Sequence, residues 1–362
     1  MNTGQAPEVV LVTGVSRYLG AQAAARLALD PRIGRVIGLD PNDPTAETST
    51  LLAGTVEVVR ADLRTAELAK IMVEYDVRAV VHLAVAAAPD PRAGGRAAMK
   101  EQNVIGTMQL LAACQQAPLL RKLVVRSSTA AYGRSFRDPA VFVEDTEPRD
   151  LPRGGFARDV LDIEGYVRGF RRRAPHVAAT VLRFAPFIGH RANTSLTRYF
   201  SLPLVPTVLG RDPRLQFVHV DDAMEILHRS VVENHSGTFN VAGPGAITLS
   251  QAVRRAGRVA VPVPEPGMSA VALFARQYGG LSFSLDQLDL FVSGRVVDVT
   301  RLAREFNISP RTTEEAFADF LRGLGNSGVL PHSTIRAAEQ AILDGIRAVR
   351  AAGRGTPQGG GR

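Results

Sequence analysis

Short apolar runs alternate with stretches of helical length along the first half of the chain. The runs are Val9–Thr13, Arg35–Asp40, Val56–Val59, Ala79–Ala84, Lys122–Ser128 and Thr180–Phe184. They are too short for helices and too uniformly apolar for a half-exposed sheet, which is the signature of strands covered on both faces. The βα rhythm predicts an α/β chain with a doubly wound parallel sheet and sites at the C-terminal strand ends. The second half is less regular. Pro and Gly recur from Pro203 to Pro213 and over Val261–Gly267, predicting a smaller C-terminal lobe assembled from insertions between late sheet elements. The expected division is a sheet domain over 8–186, completed by about 215–243, then lobe segments over 187–330. Ile335, Ile342, Ile346 and Val349 lie near helical spacing, so 331–362 predicts a terminal helix and a disordered tail.

Composition narrows the class. At 362 residues and 45% hydrophobic, the chain can bury two cores, which excludes a disordered protein. The single cysteine, Cys114, cannot close an intrachain disulfide, and MNTGQAPE lacks the basic and apolar regions of a secretory signal. A cytoplasmic location is the expectation. No apolar stretch reaches the roughly 18 residues of a spanning helix, so no membrane insertion is expected. The net charge is +8, yet its 43 basic residues include only three lysines, Lys70, Lys100 and Lys122, and the arginines are dispersed. The densest cluster, Arg168–Arg173, follows a helical pattern with Phe170 as its one aromatic. That is the pattern of a solvated helix face, and no nucleic-acid partner is expected.

Candidate chemistry begins at Thr13–Gly20, the sequence TGVSRYLG between the first strand and a helix. Gly14 permits a tight turn, Gly20 lets the helix approach the sheet, and the helix opening at Leu19, with Tyr18 just before it, offers N–H groups to a pyrophosphate. Asp40 ends the second strand 20 residues past Gly20, where a carboxylate accepts from both ribose hydroxyls and repels a 2′-phosphate. Its alternative role is a turn or helix cap. Asp62 and Leu63, after the third strand, suit an adenine edge. Seven histidines and one cysteine form no HxxxH or CxxC spacing, so no metal is expected.

These residues, taken with HLAV (His82–Val85), NVIGT (Asn103–Thr107), SSTAAYG (Ser127–Gly133), LRFAPFIGHR (Leu182–Arg191), FVHVDDA (Phe217–Ala223) and FNVAGPGAITL (Phe239–Leu249), resemble the extended short-chain dehydrogenase/reductase family. Its members are NAD-dependent epimerases and dehydratases of the UDP-glucose 4-epimerase-like kind. The resemblance runs from about Val9 to Leu321. It implies a Rossmann-type NAD-binding domain with Leu83, Ala84, Asn103 and Pro186 also at the cofactor. It further implies a small-molecule substrate such as a sugar nucleotide, and a homodimer formed through the helices carrying NVIGT and VLDIEGYV. His219 and Asp222 are structural in the family, Asp222 capping the next helix.

Three departures bear on function. Arg17 occupies the middle glycine of the family's TGxxGxxG, where it either ion-pairs with the phosphates or obstructs them. With Glu164 on the family's glutamate, Phe156 and Val160 fall on the tyrosine and lysine of the YxxxK proton relay, and no lysine follows Lys122. Pro186 and Leu215 stand where sugar-nucleotide enzymes often carry asparagine and arginine. Ser128 remains as a hydrogen-bond donor to a substrate, or else caps the strand-end turn. Asp159, three residues past Phe156, either shares the cleft as an acid/base or lies on a solvated helix face. The implied function is an NAD-binding protein whose epimerase or oxidoreductase chemistry is lost or unconventional; the alternative is a noncatalytic dinucleotide-binding sensor or scaffold.

Overall fold

A computed structural model describes residues 6–90, 93–135, 137–152, 155–264, 285–325 and 340. Six strands appear where the apolar runs predict them, within two residues at either end: β1 (Val9–Thr13), β2 (Arg35–Asp40), β3 (Glu57–Arg60), β4 (Ala79–His82), β5 (Lys122–Ser128) and β6 (Ala178–Phe184). Gly237–Val241 adds a seventh. All pair in parallel, in the order Gly237–Val241, β6, β5, β4, β1, β2, β3. The central strands are largely apolar because helices cover both faces, and Val10, Leu11 and Val12 are all without solvent contact, whereas β3 at the sheet's edge is mostly exposed.

The helices are α1 (Tyr18–Ala28), α2 (Ala46–Leu52), α3 (Glu67–Glu74), α4 (Gly95–Lys100), α5 (Gly106–Gln116), α6 (Gly155–Arg173), α7 (Ser195–Ser201) and α8 (Val220–Val232). On one face α3, α5 and α6 pack on the sheet; α6 does so through Val160, Ile163, Val167 and Phe170, a stripe at helical spacing. On the other, α1, α8 and Thr300–Phe306 bury Leu27, Ile226 and Phe306. The NVIGT segment predicts the opening of a helix, but the helix already starts at Gly95. Asn103 sits in a π-helical turn, Glu101–Ile105, that joins α4 to α5. Such a turn widens the helix locally and re-aims one side chain.

A separate buried cluster, drawn from residues between Ile188 and Phe320, is rich in aromatics. Tyr199 stacks on Phe291 at 4.1 Å, and Phe200 meets Phe317 edge-on at 5.2 Å. The proline-bearing stretches are more regular than their composition predicts, because Leu204–Val208 and Val259–Val263 pair as a two-stranded parallel ribbon. Pro206 and Pro262 are tolerated there because each strand has only one neighbour to serve. The helix and tail predicted over 331–362 lie outside the described residues, apart from residue 340.

Candidate functional site

The sheet reverses its winding between β1 and β4, and their C-terminal ends leave a crevice. Gly14 turns there with φ at +85°, where a Cβ would stand 2.8 Å from the Ala84 nitrogen. A Cβ on Gly20 would lie 2.1 Å from the Gly14 carbonyl oxygen. Backbone contact therefore demands glycine at both positions, and it leaves a bare cradle of the kind a diphosphate occupies. Beyond it, Tyr18 and Leu19 open α1, whose first-turn N–H groups lack helical partners. Leu83 and Ala84 donate their N–H groups to Thr13 Oγ1 at 3.2 and 3.3 Å.

Asp40 is buried at the end of β2 and accepts from the N–H groups of Ser16 at 3.1 Å and Asn42 at 3.0 Å. It thus performs the turn-holding role, and a carboxylate with two such bonds retains lone pairs for hydroxyl donors. Asp62 is engaged by Arg64, whose Nη2 lies 2.6 Å from Oδ2, while Leu63 is buried beside Gly106.

Further along, the crevice deepens into a cavity of about 550 Å³. Arg17, Ser128, Phe156 and Pro186 all line it. Ser128 Oγ accepts from the Ala130 N–H at 3.2 Å, capping the turn Thr129–Tyr132. Its own O–H is not used by that cap.

Asp159 meets neither expectation. It is fully buried in a two-pronged ion pair with Arg96, at 2.7 and 2.5 Å, and accepts from Asn103 Nδ2 at 3.0 Å. Asn103 in turn exchanges two hydrogen bonds with the backbone of Ala86, at 2.7 and 2.9 Å. The π-helical turn aims Asn103 at the cleft wall, and Asp159 fastens α6 to α4 behind it. Arg96 lies 63 residues from Asp159, and no local pattern announces the pair.

His82 heads a second buried chain. Thr107 Oγ1 gives its proton to the Asn103 carbonyl, so it accepts from His82 Nε2–H at 2.8 Å. Nδ1 then accepts from the Thr13 hydroxyl at 2.8 Å. Burial, reinforced by the charge of Arg126, holds this imidazole neutral with its pKa pushed down to about 3. Unfolded, the same group takes up a proton near 6.5. The unfolded chain thus binds more protons between those values, and stability falls as pH drops from about 6.5, by up to about 1.4 kcal/mol per pH unit from this group. Urea denaturation from pH 7 to 4.5 is expected to show a shallower slope for His82→Asn than for the natural chain; equal slopes contradict the assignment.

His190, His219 and Asp319 bring three ligand-type atoms within 4.8 Å of one another, a cluster drawn from distant segments that spacing alone does not show. Its hydrogen bonds are those of a latch. Arg311 Nη1 and the Asp221 N–H both donate to His219 Nδ1, which leaves Nε2–H to donate to Asp319 at 2.9 Å. A metal on Nε2 would put the ring proton on Nδ1, facing those two donors. His219 is the cap of α8, and Asp222, expected to cap it, instead accepts from Arg311.

The family model described as NAD dependent epimerase/dehydratase matches residues 10–242. This chain belongs to the NAD-dependent epimerase/dehydratase family. An uncharacterized protein of Mycobacterium tuberculosis is 45% identical over 336 residues, covering 92% of this chain and 89% of the relative. Among solved structures, UDP-glucose 4-epimerase from Thermotoga maritima, bound to UDP-glucose, superposes with a TM-score of 0.68 at 18% identity, covering 88% of this chain and 99% of its own. UDP-glucuronic acid 4-epimerase from Bacillus cereus in complex with NAD gives 0.63 at 16% identity, with the same coverage. The Rossmann-type fold inferred from the motifs is the one observed, and NAD is the family's cofactor. Among the described residues no helix is long and apolar enough to cross a membrane.

Sequence reasoning passed over one residue in this family member's cleft. Arg126 lines the cavity from β5, donates Nη1 to the Val85 carbonyl at 2.8 Å and stands 5.7 Å over the Phe187 ring. Burial and the charge of Arg17 push its pKa down to about 10. A single cation inside the apolar run KLVVRSS was the available signal.

Proposed function

We propose that this chain binds NAD and a sugar nucleotide in the cleft but lacks the family's tyrosine–lysine proton relay. The observation that supports this reading is the face α6 turns to the cavity. Phe156 lines it, and Val160, one turn on, is sealed in the core. Neither side chain carries a proton to transfer. Tyr166, the tyrosine α6 does carry, lies exposed ten residues past Phe156, about 280° round the helix.

The cradle at Gly14 and Gly20 fits a dinucleotide's diphosphate, and Asp40 fits its adenosine ribose. When bound, NAD supplies a hydride acceptor and donor. The chain's own residues then orient rather than catalyse: Ser128 donates one hydrogen bond, and Asn103 holds the Ala86 wall in place. A noncatalytic dinucleotide sensor or scaffold is the second reading, favoured by the engagement of Asp159 with Arg96, which removes that carboxylate from proton transfer. The lone Cys114, buried with its thiol pKa pushed up, suits a cytoplasmic protein.

Calorimetry with NAD and NADP tests the cofactor assignment. Asp40 beside a 2′-phosphate is expected to cost about 1–3 kcal/mol, so NAD should bind more tightly; equal or tighter NADP binding overturns it. We also propose a homodimer through α5 and α6, supported by exposed Met108 on α5 and Tyr166 on α6. Solution scattering at tens of micromolar is expected to give twice the chain mass, and a monomer refutes the pairing.

A further inference from the structure

Two guanidinium groups line the cleft without a carboxylate ion-pair partner among the described residues. Arg17 lies exposed at its mouth, on the loop between β1 and α1, and Arg126 is half-buried on β5. Of the described residues lining the cavity, four are arginines (Arg17, Arg126, Arg198 and Arg295) and one, Asp90, is acidic, so this lining is electropositive. Arg126 is preset by its bond to Val85 and by the Phe187 ring. Desolvation lowers the Arg17 pKa against the opposing pull of Asp40, and desolvation followed by the charge of Arg17 lowers that of Arg126. Charge interactions link Asp40 to Arg17 and Arg17 to Arg126, and Ser128 and Phe156 line the same cavity as the two arginines.

Two like charges gathered in one cleft repel, and that cost disappears when an anion joins them. We infer that Arg17 and Arg126 form a two-guanidinium seat for the diphosphate of the ligand, replacing with side-chain charge the close backbone approach that a middle glycine allows. This rests on the dinucleotide reading above, since the seat is linked by charge to the carboxylate suited to a ribose and shares its cavity with the wall suited to the reacting ring. A planar guanidinium presents paired N–H groups that match phosphate oxygens, and two of them lining one cleft supply enough donors for both phosphates.

Calorimetry on the full chain with inorganic pyrophosphate and, separately, NAD tests the seat. The variants are Arg17→Gly, which restores the small turn residue, and Arg126→Gln, which keeps a polar N–H donor without the charge; thermal melts report whether each folds. The natural chain is expected to bind pyrophosphate, and each variant to weaken pyrophosphate and NAD by about tenfold or more. Variant-sensitive pyrophosphate binding without NAD binding supports the seat and refutes the dinucleotide reading. NAD bound equally by all three proteins, or more tightly by Arg17→Gly, overturns the seat and leaves that reading standing. A salt titration of the natural chain requires no variant: pyrophosphate affinity should fall at least about tenfold between 0.05 and 0.5 M NaCl, and a flat response overturns the seat.

Discussion

Replacing Glu164 by alanine is expected to destabilise the fold by about 3–5 kcal/mol, because it strands a buried cation. Glu164 Oε1 accepts from Ser127 Oγ at 2.5 Å and from Arg183 Nε at 2.9 Å, and Oε2 accepts from Arg183 Nη2 at 2.6 Å. The two side chains are 5% and 10% exposed, so water cannot replace the lost carboxylate. Burial alone would lower the Arg183 pKa, yet it is raised, since hydrogen bonds and charge from Glu164 outweigh desolvation. Arg183 also donates to the Tyr132 hydroxyl at 3.0 Å and the Glu144 carbonyl at 2.8 Å, so one deletion loosens α6, β5, β6 and the loop beyond β5 together. Urea denaturation at pH 7 checks the figure. The double variant Glu164→Ala, Arg183→Met should recover most of the loss, because it removes both charges. A loss below about 1 kcal/mol for Glu164→Ala would mean that the pair is not what holds α6.

The sheet was legible because its physics is local. A strand covered on both faces is apolar through its middle, so β1 and the centre of β2 stand in the sequence as uninterrupted runs. The cradle was legible for the opposite reason: Gly14 and Gly20 are required by what their missing side chains would strike, and glycine is the one residue that marks such a place. Asp159 was not legible. Its position on α6 allowed a solvated face or the cleft, and the choice was made by Arg96, which only the folded chain brings alongside. His219 likewise acquires its role from Arg311 and Asp319, about a hundred residues on. Polar side chains with several possible partners are assigned by tertiary structure, whereas apolar periodicity and required glycines are assigned by the backbone. Arg126 lies between these cases, since a charge inside a buried strand implies a partner or a ligand without naming it.

Turnover of UDP-glucose by the natural chain is expected to stand at little above background even when NAD is bound. A positioned proton donor and acceptor contributes typically about 10²–10⁴ in rate, and the α6 face at Phe156 and Val160 offers none. Ser128 alone does not make up the loss, because an unassisted hydroxyl is a poor base at neutral pH. The Arg126 guanidinium, held protonated with its pKa near 10, donates hydrogen bonds and does not accept a proton at pH 7. Introducing Phe156→Tyr with Val160→Lys places a phenol on the cavity wall and an ammonium one turn behind it. Val160 is fully buried, however, so the new lysine must reach the cavity or pay for burial. The double variant is therefore expected to gain rate while losing stability, and Phe156→Tyr alone to gain less of the first and lose little of the second. Measuring 4-epimerase rates in the natural chain and both variants, alongside their melting temperatures, checks each part. A natural rate in the ordinary enzyme range of about 1–10³ s⁻¹ would overturn the noncatalytic assignment of α6 and require an acid/base elsewhere on the cavity wall.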